Sequence, residues 1–506
     1  MRHGFDDVRG GFDVEADVVV VGSGPGGAVA ADNLARAGMK VVVVEAGPEV
    51  RPEDMVRDSP RFMARHYWEG GLRVILGTVP SPSMHGRCLG GGSVVNSAIM
   101  LPLPAWVRQE WRDESGVAHF DGPELDAAYG RVFARCRVSP TPMTVFGRRN
   151  RLVRDAIEGV VGEKGGGLPR AVVDCEGSSD CLTGCAGGRK QSVDRVYLPT
   201  AEAAGAEVYT HSQVDRVLIE GKRAVGVEGD VIEVPGWQKR GRFRVRAKMV
   251  VLAAGTMNTP VLLQKSGVNP RGLVGATLFA HVGGGIVGIM DQVVDPWVGA
   301  TQGWGAISKE IRGLKYEALW ASPGVLMVRW GDVGRRFVER LDEVKHAVVV
   351  ALVYRGDVHG TVKATRSGEP SSRLWIPEKN VVPVMRGMKN AADALLSLGA
   401  RYVHTGLVSV VDEMRNARDT ESLLSPRVKA KHMAMTMNHT FGSCRMTADD
   451  RGPVDPDGKL RGLEGLYICD ASVFPSPSAV NPQATIMALS DITSRKLGEL
   501  SLAEAP

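Results

Sequence analysis

The stretch "ADVVVVGSGPGGAVAADNLARAGMKVVVVEAGP", residues 16–48, decides the fold class. Its first part, Val18 to Val21, is a continuous β-branched run, which is typical of a strand buried on both faces. A helix is predicted over 25–37, with Gly38 at its C-terminal cap, and a second strand over 40–44. Strand, helix and strand in this order predict a parallel α/β sheet.

The glycines of this unit have the spacing of a dinucleotide cradle. Gly22, Gly24 and Gly27 form G-x-G-x-x-G between the first strand and the helix. They permit a tight turn, a close approach of the backbone to a pyrophosphate, and close packing of helix on strand. Glu45, at the end of the second strand, can accept hydrogen bonds from ribose hydroxyls. The motif predicts dinucleotide binding but does not separate FAD from NAD, and a glycine-rich turn in another α/β protein is the alternative.

The bulk composition describes an ordinary globular protein. The chain has 506 residues, a hydrophobic fraction of 43%, a charged fraction of 24% and a formal net charge of +5. That length is enough for more than one core, and with no basic run a nucleic-acid partner is not expected. No apolar stretch approaches a membrane span, and the N-terminus has no leader pattern. With seven cysteines in no regular framework, we expect a reducing, cytoplasmic location.

Two further stretches have the small residues and turns of a cofactor site. In "HGRCLGGGSVVNSAIM", residues 85–100, the glycines let the backbone lie against a flat or charged group, and two polar side chains offer hydrogen bonds. These residues are Gly90, Gly91, Gly92, Ser93 and Asn96. "KMVVLAAGTMNTPVLLQKSG", residues 248–267, reads as strand, turn and helix, which we expect to stack against the first unit. A surface glycine-rich loop is the alternative for 85–100.

The C-terminal region adds a turn at Asp457–Gly458 and a strand over 466–469, followed by Asp470. Ligands in open α/β sheets lie at this end of the strands. Asn481 is predicted to cap a helix that begins with Pro482 at its first position. The positive end of that helix could stabilise negative charge on a ligand, or Asn481 could only cap it.

Together these stretches resemble the glucose–methanol–choline (GMC) flavoprotein oxidoreductases. The resemblance covers the first unit, the loop "GRCLGGGSVVNS" (86–97), the segment "VVLAAGTMNTPVLL" (250–263) and residues 439–496. "GLVGATLFAHVGG" (272–284) is similar to a further family segment, with Thr277 where the family has Asn. The branch with a His–Asn pair, cholesterol oxidases and long-chain alcohol oxidases, is the most similar.

The resemblance implies that the cofactor is FAD. The loop of Gly90 to Ser93 and Asn96 would line the pyrophosphate and the flavin N5 edge, and Val214 would contact the adenine through its backbone. It also assigns the following positions to the cofactor site: Gly255, Asp470, Ala471 and Pro482. Some members attach FAD covalently through a His one position before the Asn, where this chain has Val95, so we expect non-covalent FAD.

The stretch "MNHTFGSCRM", residues 437–446, contains the predicted catalytic base. From the residues alone, His439 could be a packed loop histidine, a metal ligand beside Cys444, or a base. The resemblance implies that His439 and Asn481 are the catalytic pair. A neutral imidazole is suited to accept the hydroxyl proton of an alcohol while the α-carbon hydride passes to flavin N5, and Asn481 would hold the substrate oxygen. No metal site is predicted, because zinc needs three or four ligands at metal spacing.

The fold class that we predict is a Rossmann-like FAD-binding domain with a second, α+β substrate domain built on an antiparallel sheet. The expected boundaries of the FAD-binding domain are 14–135, 186–275 and 431–506, and those of the substrate domain are 276–430 with segments of 136–185. The middle of the chain contains Trp297, Trp304, Trp320, Trp330 and Trp375. An apolar pocket lined by tryptophans would favour a bulky, lipophilic alcohol, whereas the alternative is that these rings only fill the core.

Cys175, Cys181 and Cys185 lie in the glycine- and serine-rich stretch "CEGSSDCLTGC". Some flavin dehydrogenases of the family work with an iron–sulfur cluster, but three cysteines are one fewer than a cluster usually takes, and a structural loop is favoured. The predicted activity is oxidation of a small-molecule alcohol to a carbonyl, with O₂ or an electron-acceptor protein or quinone as oxidant. The alternatives are a lyase that retains FAD without net redox, and a flavin subunit that relays electrons to a partner.

Overall fold

The computed structural model describes residues 1–55, 59–326, 333–407, 410–433 and 435–503. Over these residues the strands form two large sheets and three small ones. The first sheet has the order Arg2–His3, Glu207–Tyr209, Val41–Val44, Phe12–Val21, Gln238–Leu252, Arg223–Glu233, Ser212–Glu220, with Leu466–Ile468 also pairing Gln238–Leu252. The second has the order Glu413–Met414, Ala400–His404, Val282–Met290, Ala347–Tyr354, Leu314–Leu319, Trp304–Ile307, Gly166–Gly167. The small sheets are His359–Ala364, Pro370–Trp375, Val74–Gly77 and Ser81–Pro82; Phe279–Ala280 with Thr440–Phe441; and Ser139–Pro140 with Pro169–Arg170.

The centre of the first sheet is parallel, as predicted. Val18 pairs with Val41 on one side and with Met249 on the other, both in parallel register. Residues 18–21 and 41–44 are buried, because helices cover both faces of this part of the sheet. The carboxyl ends of these strands therefore meet at one edge, where Gly22, Glu45 and the turn after Leu252 lie together.

The α-helices pack around both sheets. Their bounds are Phe5–Val8, Pro25–Arg36, Ser59–His66, Gly92–Val95, Ala105–Ser115, Pro123–Arg135, Gly147–Arg154, Val193–Val196, Leu198–Ala203, Asn258–Lys265, Pro323–Leu326, Arg335–Glu343, Val381–Ser397, Ala417–Glu421 and Gln483–Ala503. The helix Pro25–Arg36 ends before Gly38, whose φ of +85° is the left-handed conformation that glycine adopts at low cost. The long helix Gln483–Ala503 packs against Pro25–Arg36 and so closes the first unit over its parallel strands.

The predicted cap of the last helix is wrong. The helix begins at Gln483, and the Pro482 carbonyl accepts the hydrogen bond from the Ile486 N–H at 2.9 Å. Pro482 therefore occupies the flanking position and not the first helical one. The Asn481 side chain does not cap this helix but accepts a hydrogen bond from Lys315.

The second sheet is antiparallel, as predicted for a substrate domain. Leu314–Leu319 pairs with Ala347–Tyr354, which in turn pairs with Val282–Met290. The helix Val381–Ser397 lies on one face of this sheet and buries Met385, Met388 and Leu395 in a second core. The strand His359–Ala364 does not join this sheet but belongs to the small four-stranded sheet, where it pairs with Pro370–Trp375.

The four described tryptophans of the middle region have different surroundings. Trp304 and Trp320 are buried in two different cores, whereas Trp297 and Trp375 are 37% and 42% exposed. Trp330 lies outside the described residues. The rings therefore give no support to a tryptophan-lined substrate site, and burial in the core accounts for two of them.

Within the described ranges, we find no helix that combines the length and the apolar character needed to cross a membrane.

Candidate active site

Two glycine-rich loops meet at the edge of the parallel sheet and form a cradle. A Cβ added to Gly27 would lie 1.9 Å from the Gly22 carbonyl oxygen, and one added to Gly91 would lie 2.9 Å from the Gly24 Cα. Side chains at these positions would therefore collide with backbone. The close approach leaves main-chain N–H groups on the surface of the cradle, which suits a pyrophosphate at the N-terminus of the helix Pro25–Arg36.

Glu45 holds the first glycine loop in place through hydrogen bonds. Its Oε2 accepts hydrogen bonds from the Ser23 N–H at 3.0 Å and the Ser23 hydroxyl at 2.6 Å, and its Oε1 accepts one from the Gly47 N–H at 2.9 Å. The Ser23 hydroxyl oxygen in turn accepts from the Gly90 N–H at 3.0 Å. Burial raises the pKa of the Glu45 carboxyl, while these hydrogen bonds oppose the rise. These three hydrogen bonds leave one Oε1 lone pair of the carboxylate for a further donor.

Ser93 and Asn96 hold the second loop in place. The Ser93 hydroxyl donates to the Gly90 carbonyl at 2.7 Å and accepts from the Val193 N–H at 3.1 Å. The Asn96 carboxamide donates to Gln483 Oε1 and accepts from the Ala98 N–H at 2.9 Å. Both side chains thus make hydrogen bonds within the protein, and the Asn96 carboxamide retains a second N–H.

Four of the remaining five predicted cofactor residues lie in two places, and the fifth, Pro482, directly precedes the last helix. Asp470, in the turn after Leu466–Ile468, accepts hydrogen bonds from the Gly255 N–H at 2.9 Å and the Thr259 hydroxyl at 2.5 Å. Ala471 accepts from the Gly442 N–H at 3.1 Å and so joins this turn to the loop after His439. Val214 is half-buried on the strand Ser212–Glu220, opposite Gly229. Of the predicted residues, Val214 alone lies on an antiparallel strand of the sheet.

A short two-stranded ribbon places two histidines side by side. Phe279–Ala280 pairs with Thr440–Phe441 in antiparallel register, so His281 and His439 are the next residues in line. The backbone N–H of His281 donates to the backbone carbonyl of His439 at 3.0 Å. The Nδ1 atoms of the two imidazole rings are also 3.0 Å apart. One ring must donate and the other accept, so the two imidazoles share one proton along this line.

Burial keeps the histidines of the site neutral. It lowers the pKa of His439 to about 4, with smaller opposing influences from Glu317, which raises it, and Lys315, which lowers it. Burial likewise lowers the pKa of His85 to about 3 and that of His281 well below its usual range. The His85 Nε2 lies 2.7 Å from a hydroxyl, that of Ser83, which donates its own proton to a backbone carbonyl. His85 is therefore the donor in that contact.

A buried ion pair lies beside these histidines. Lys315 and Glu317 form a salt bridge with side chains 1% and 2% exposed. The Lys315 ammonium also donates to the Oδ1 of Asn481, itself 9% exposed. The predicted partner Asn481 is thus joined to a lysine and a glutamate of the antiparallel sheet, and through their charges to His439.

Sequence reasoning missed Lys315, Glu317, His281 and His85. His281 stands within the quoted segment 272–284, so the motif contained it without a role. The signal for the ion pair was the alternation in "LKYEAL", residues 314–319, which also fits a half-exposed strand. The strand is buried on both faces in the fold, and only this position distinguishes a buried ion pair from the charged side of a half-exposed strand.

The cysteine loop lies directly behind the glycine loop. The Lys190 ammonium donates to the carbonyls of Asn96 at 2.8 Å and Cys181 at 2.7 Å, and to that of Val94. Burial raises the pKa of the Cys181 thiol, but the charges of Arg170 and Lys190 outweigh it and the net pKa is lowered. All seven cysteines are free thiols. Across the part of the chain that the structure describes, no three His, Cys, Asp or Glu side chains are placed to hold a metal ion.

Family models match the chain over most of its length. Residues 63–283 and 355–490 match the N- and C-terminal models described as GMC oxidoreductase. Residues 16–67, which contain the glycine cradle, match a model described as pyridine nucleotide-disulphide oxidoreductase.

Individual proteins agree with these matches. An uncharacterized GMC-type oxidoreductase of Mycobacterium tuberculosis is 32% identical over 94% of this chain and 74% of its own length. A long-chain-alcohol oxidase of Arabidopsis thaliana is 27% identical over 98% of this chain and 68% of its own. Among solved structures, a pyridoxine 4-oxidase from Mesorbium loti superposes with a TM-score of 0.68 over 96% of this chain and 99% of its own, at 17% identity, and so shares the fold.

Proposed function

The chain belongs to the GMC oxidoreductase family, and from this premise we propose that it oxidises a bulky, lipophilic alcohol to a carbonyl compound with His439 as the base. It is an FAD-dependent oxidoreductase that acts on CH–OH groups. The observation that carries the proposal is the neutral His439 imidazole, held by His281 and joined electrostatically to the Lys315–Asn481 pair.

The residues present fit FAD. The backbone cradle of Gly22, Gly24 and Gly27 and the facing loop of Gly90 to Gly92 would hold the pyrophosphate. The two loops approach so closely that a Cβ on Gly27 or Gly91 would collide with backbone atoms. Further residues that would contact FAD are Glu45, Ser93, Asn96, Val214, Gly255, Asp470, Ala471 and Pro482. When bound, FAD supplies the hydride acceptor for the reaction.

His439 can accept a proton only in one tautomer. Its Nε2 must present a lone pair to the substrate hydroxyl, so its Nδ1 must carry the hydrogen and donate to His281 Nδ1. The same hydrogen bond persists after His439 has taken the proton, since an imidazolium donates from both nitrogens. His281 would therefore act as the acceptor before and after proton transfer, and no ring has to turn.

Asn481 would hold the substrate oxygen. As the hydroxyl proton leaves, the oxygen gains negative charge, and a carboxamide N–H is a donor that stabilises it. Asn481 lies two residues before the helix Gln483–Ala503, so the positive helix end is close to the same place. Proton removal by His439 and oxygen stabilisation by Asn481 would then act on the two ends of one O–H bond.

The lipophilic substrate class is supported by sequence similarity. The Arabidopsis thaliana relative is named a long-chain-alcohol oxidase, and it aligns over 98% of this chain. The pyridoxine 4-oxidase resemblance concerns the fold alone.

A panel of alcohols under anaerobic conditions tests the proposal. Flavin absorbance near its visible maximum should bleach when a fatty alcohol or a sterol is added, and the matching aldehyde or ketone should form. Carbonyl product without bleaching would instead identify a lyase. A flavin that stays oxidised, with no product from any alcohol, would contradict the proposal.

Removal of the base provides a direct check on His439. His439→Ala should bind FAD at full stoichiometry yet lose roughly 10²-fold or more in kcat, because proton transfer is then left to solvent. The matched control is His359→Ala, which changes an exposed histidine of the four-stranded sheet. An unchanged rate in His439→Ala would overturn the assignment.

Electron relay to a partner protein or a quinone is the second candidate function. It is favoured by the position of the cysteine loop, whose Cys181 carbonyl shares the Lys190 ammonium with the loop at Asn96. Its test compares reoxidation of the reduced holoprotein by O₂ with that by a soluble quinone. Reoxidation by quinone alone supports relay, and fast reoxidation by O₂ contradicts it.

A further inference from the structure

The strand Leu314–Leu319 has apolar and aromatic side chains on one face and charged side chains on the other. Leu314 and Tyr316 point into the core beneath the helix Val381–Ser397, whereas Lys315 and Glu317 lie on the other face. Both charged side chains are almost completely buried. Removing two charges from water costs several kcal/mol per ion after relaxation, and a pair of apolar side chains would avoid that cost. The pair is therefore maintained at the expense of stability, which points to a role in the site.

The contact of Lys315 with Asn481 settles the orientation of the carboxamide. An ammonium is only a donor, so the atom that it contacts must be the amide oxygen. The oxygen and nitrogen of an amide otherwise have nearly the same shape and can exchange places by a half-turn. With Oδ1 committed to Lys315, the two N–H donors of Nδ2 form the other end of the group.

We propose that Lys315 is a positioning residue that fixes Asn481 with its N–H donors toward the substrate oxygen, with Glu317 as the counter-ion that holds Lys315. The proposal rests on the proposed function of His439 and Asn481. A chain of donors then runs from the ammonium through the amide to the substrate, and donation to Oδ1 strengthens donation from Nδ2 because linked hydrogen bonds polarise one another. No bond is made or broken at Lys315.

Glu317 limits what the ammonium does to the base. The charge of Lys315 lowers the pKa of His439 and that of Glu317 raises it, both less than burial does. Gln302 donates to the second carboxylate oxygen of Glu317, which fixes the pair from behind. The net charge of the pair is zero, so it can orient Asn481 with little net effect on the proton affinity of His439.

The test removes the pair without leaving one charge alone. Lys315→Met with Glu317→Gln preserves volume and neutrality, and FAD stoichiometry reports folding. With the best alcohol of the panel, kcat should fall roughly 10- to 100-fold while KM changes little, because a misoriented donor is lost only in the transition state. Lys345→Met, at an exposed lysine, is the matched control and should leave both constants unchanged.

A double-mutant cycle separates positioning from a general structural effect. If Lys315 acts through Asn481, the pair variant in an Asn481→Ala background should be no slower than Asn481→Ala alone. Losses that multiply would overturn the proposal, as would a pair variant with full kcat. An atomic-resolution structure of the holoprotein gives a readout that needs no turnover: Lys315 Nζ should lie within about 3.2 Å of Asn481 Oδ1. A separation beyond about 4 Å sinks the inference even if alcohols are oxidised, whereas an intact contact with no oxidation of any alcohol faults the proposed function instead.

Discussion

The surroundings of the His439 ring set its protonation state before substrate binds. His281 and His85 are both neutral neighbours, and the charges near the ring, Glu317 and Lys315, shift its pKa in opposite directions. Burial therefore dominates, and it lowers the pKa of His439 to about 4. The ring is a free base at neutral pH without help from a carboxylate.

This predicts the acid limb of the pH profile. Because His439 must be unprotonated to act and its pKa is lowered to about 4, kcat/KM should hold from neutral pH down to about pH 5 and fall as the pH passes through 4. Stopped-flow flavin reduction after a pH jump measures this before the protein unfolds. A limb centred at pH 6 or above would contradict the assigned environment.

At this scale the sequence proposed a catalytic pair, His439 and Asn481, but did not name their neighbours. Each of the two stands in a recognisable motif, and their catalytic role stays a prediction. Lys315 was not named, since the side chain that it contacts is 166 positions away in the chain and nothing local marks it. Long-range partners of this kind depend on how two sheets face each other.

At the scale of elements, the helix and the second strand of the first unit were predicted almost to the residue, whereas the first strand, Phe12–Val21, begins well before the run of residues 18–21. The helix expected over 25–37 runs over Pro25–Arg36, and the strand expected over 40–44 runs over Val41–Val44. These bounds are local: β-branched runs, a proline and a glycine define them. The start of the last helix was wrong because the Asn481 side chain bonds to Lys315 instead of capping.

The close packing of this unit predicts a sharp effect of one methyl group. Gly27→Ala should lose FAD affinity by at least roughly tenfold and lower the melting temperature, because the new Cβ would lie 1.9 Å from the Gly22 carbonyl oxygen. The matched control is Gly130→Ala, in the helix Pro123–Arg135, where a Cβ meets nothing within 4 Å. That change should be neutral or stabilise by about 0.5–1 kcal/mol.

FAD titration followed by fluorescence, with thermal melts of both variants, makes the comparison. Equal affinity in the Gly27 variant and wild type would show that the cradle tolerates a side chain.

At the scale of the whole molecule, a parallel sheet and an antiparallel sheet contribute to one site. The predicted fold class, a Rossmann-like FAD-binding domain with an antiparallel second domain, is confirmed. The expected domain boundaries at 135, 186, 275 and 431 stay a prediction. The contact of His281 with His439 and that of Lys315 with Asn481 both link residues from different parts of the chain. Motif order could predict the presence of these parts but not their contacts.

The whole holoprotein also tests how FAD is attached. Val95, at the end of the helix Gly92–Val95, has no nucleophile with which to bond a flavin. Acid precipitation should therefore leave all of the yellow colour in the supernatant, measured by absorbance. Colour that stays in the pellet after washing would show a covalent link to another residue.

The two-stranded ribbon that carries His281 and His439 has a consequence for how such an enzyme can be altered. Main-chain register and a backbone hydrogen bond place the two histidines next to each other. Laboratory evolution for a new alcohol could therefore vary the apolar positions of the antiparallel sheet extensively while His439 keeps its place. Libraries that spare the ribbon and the Lys315–Glu317 pair should yield a larger share of active clones than libraries that include them.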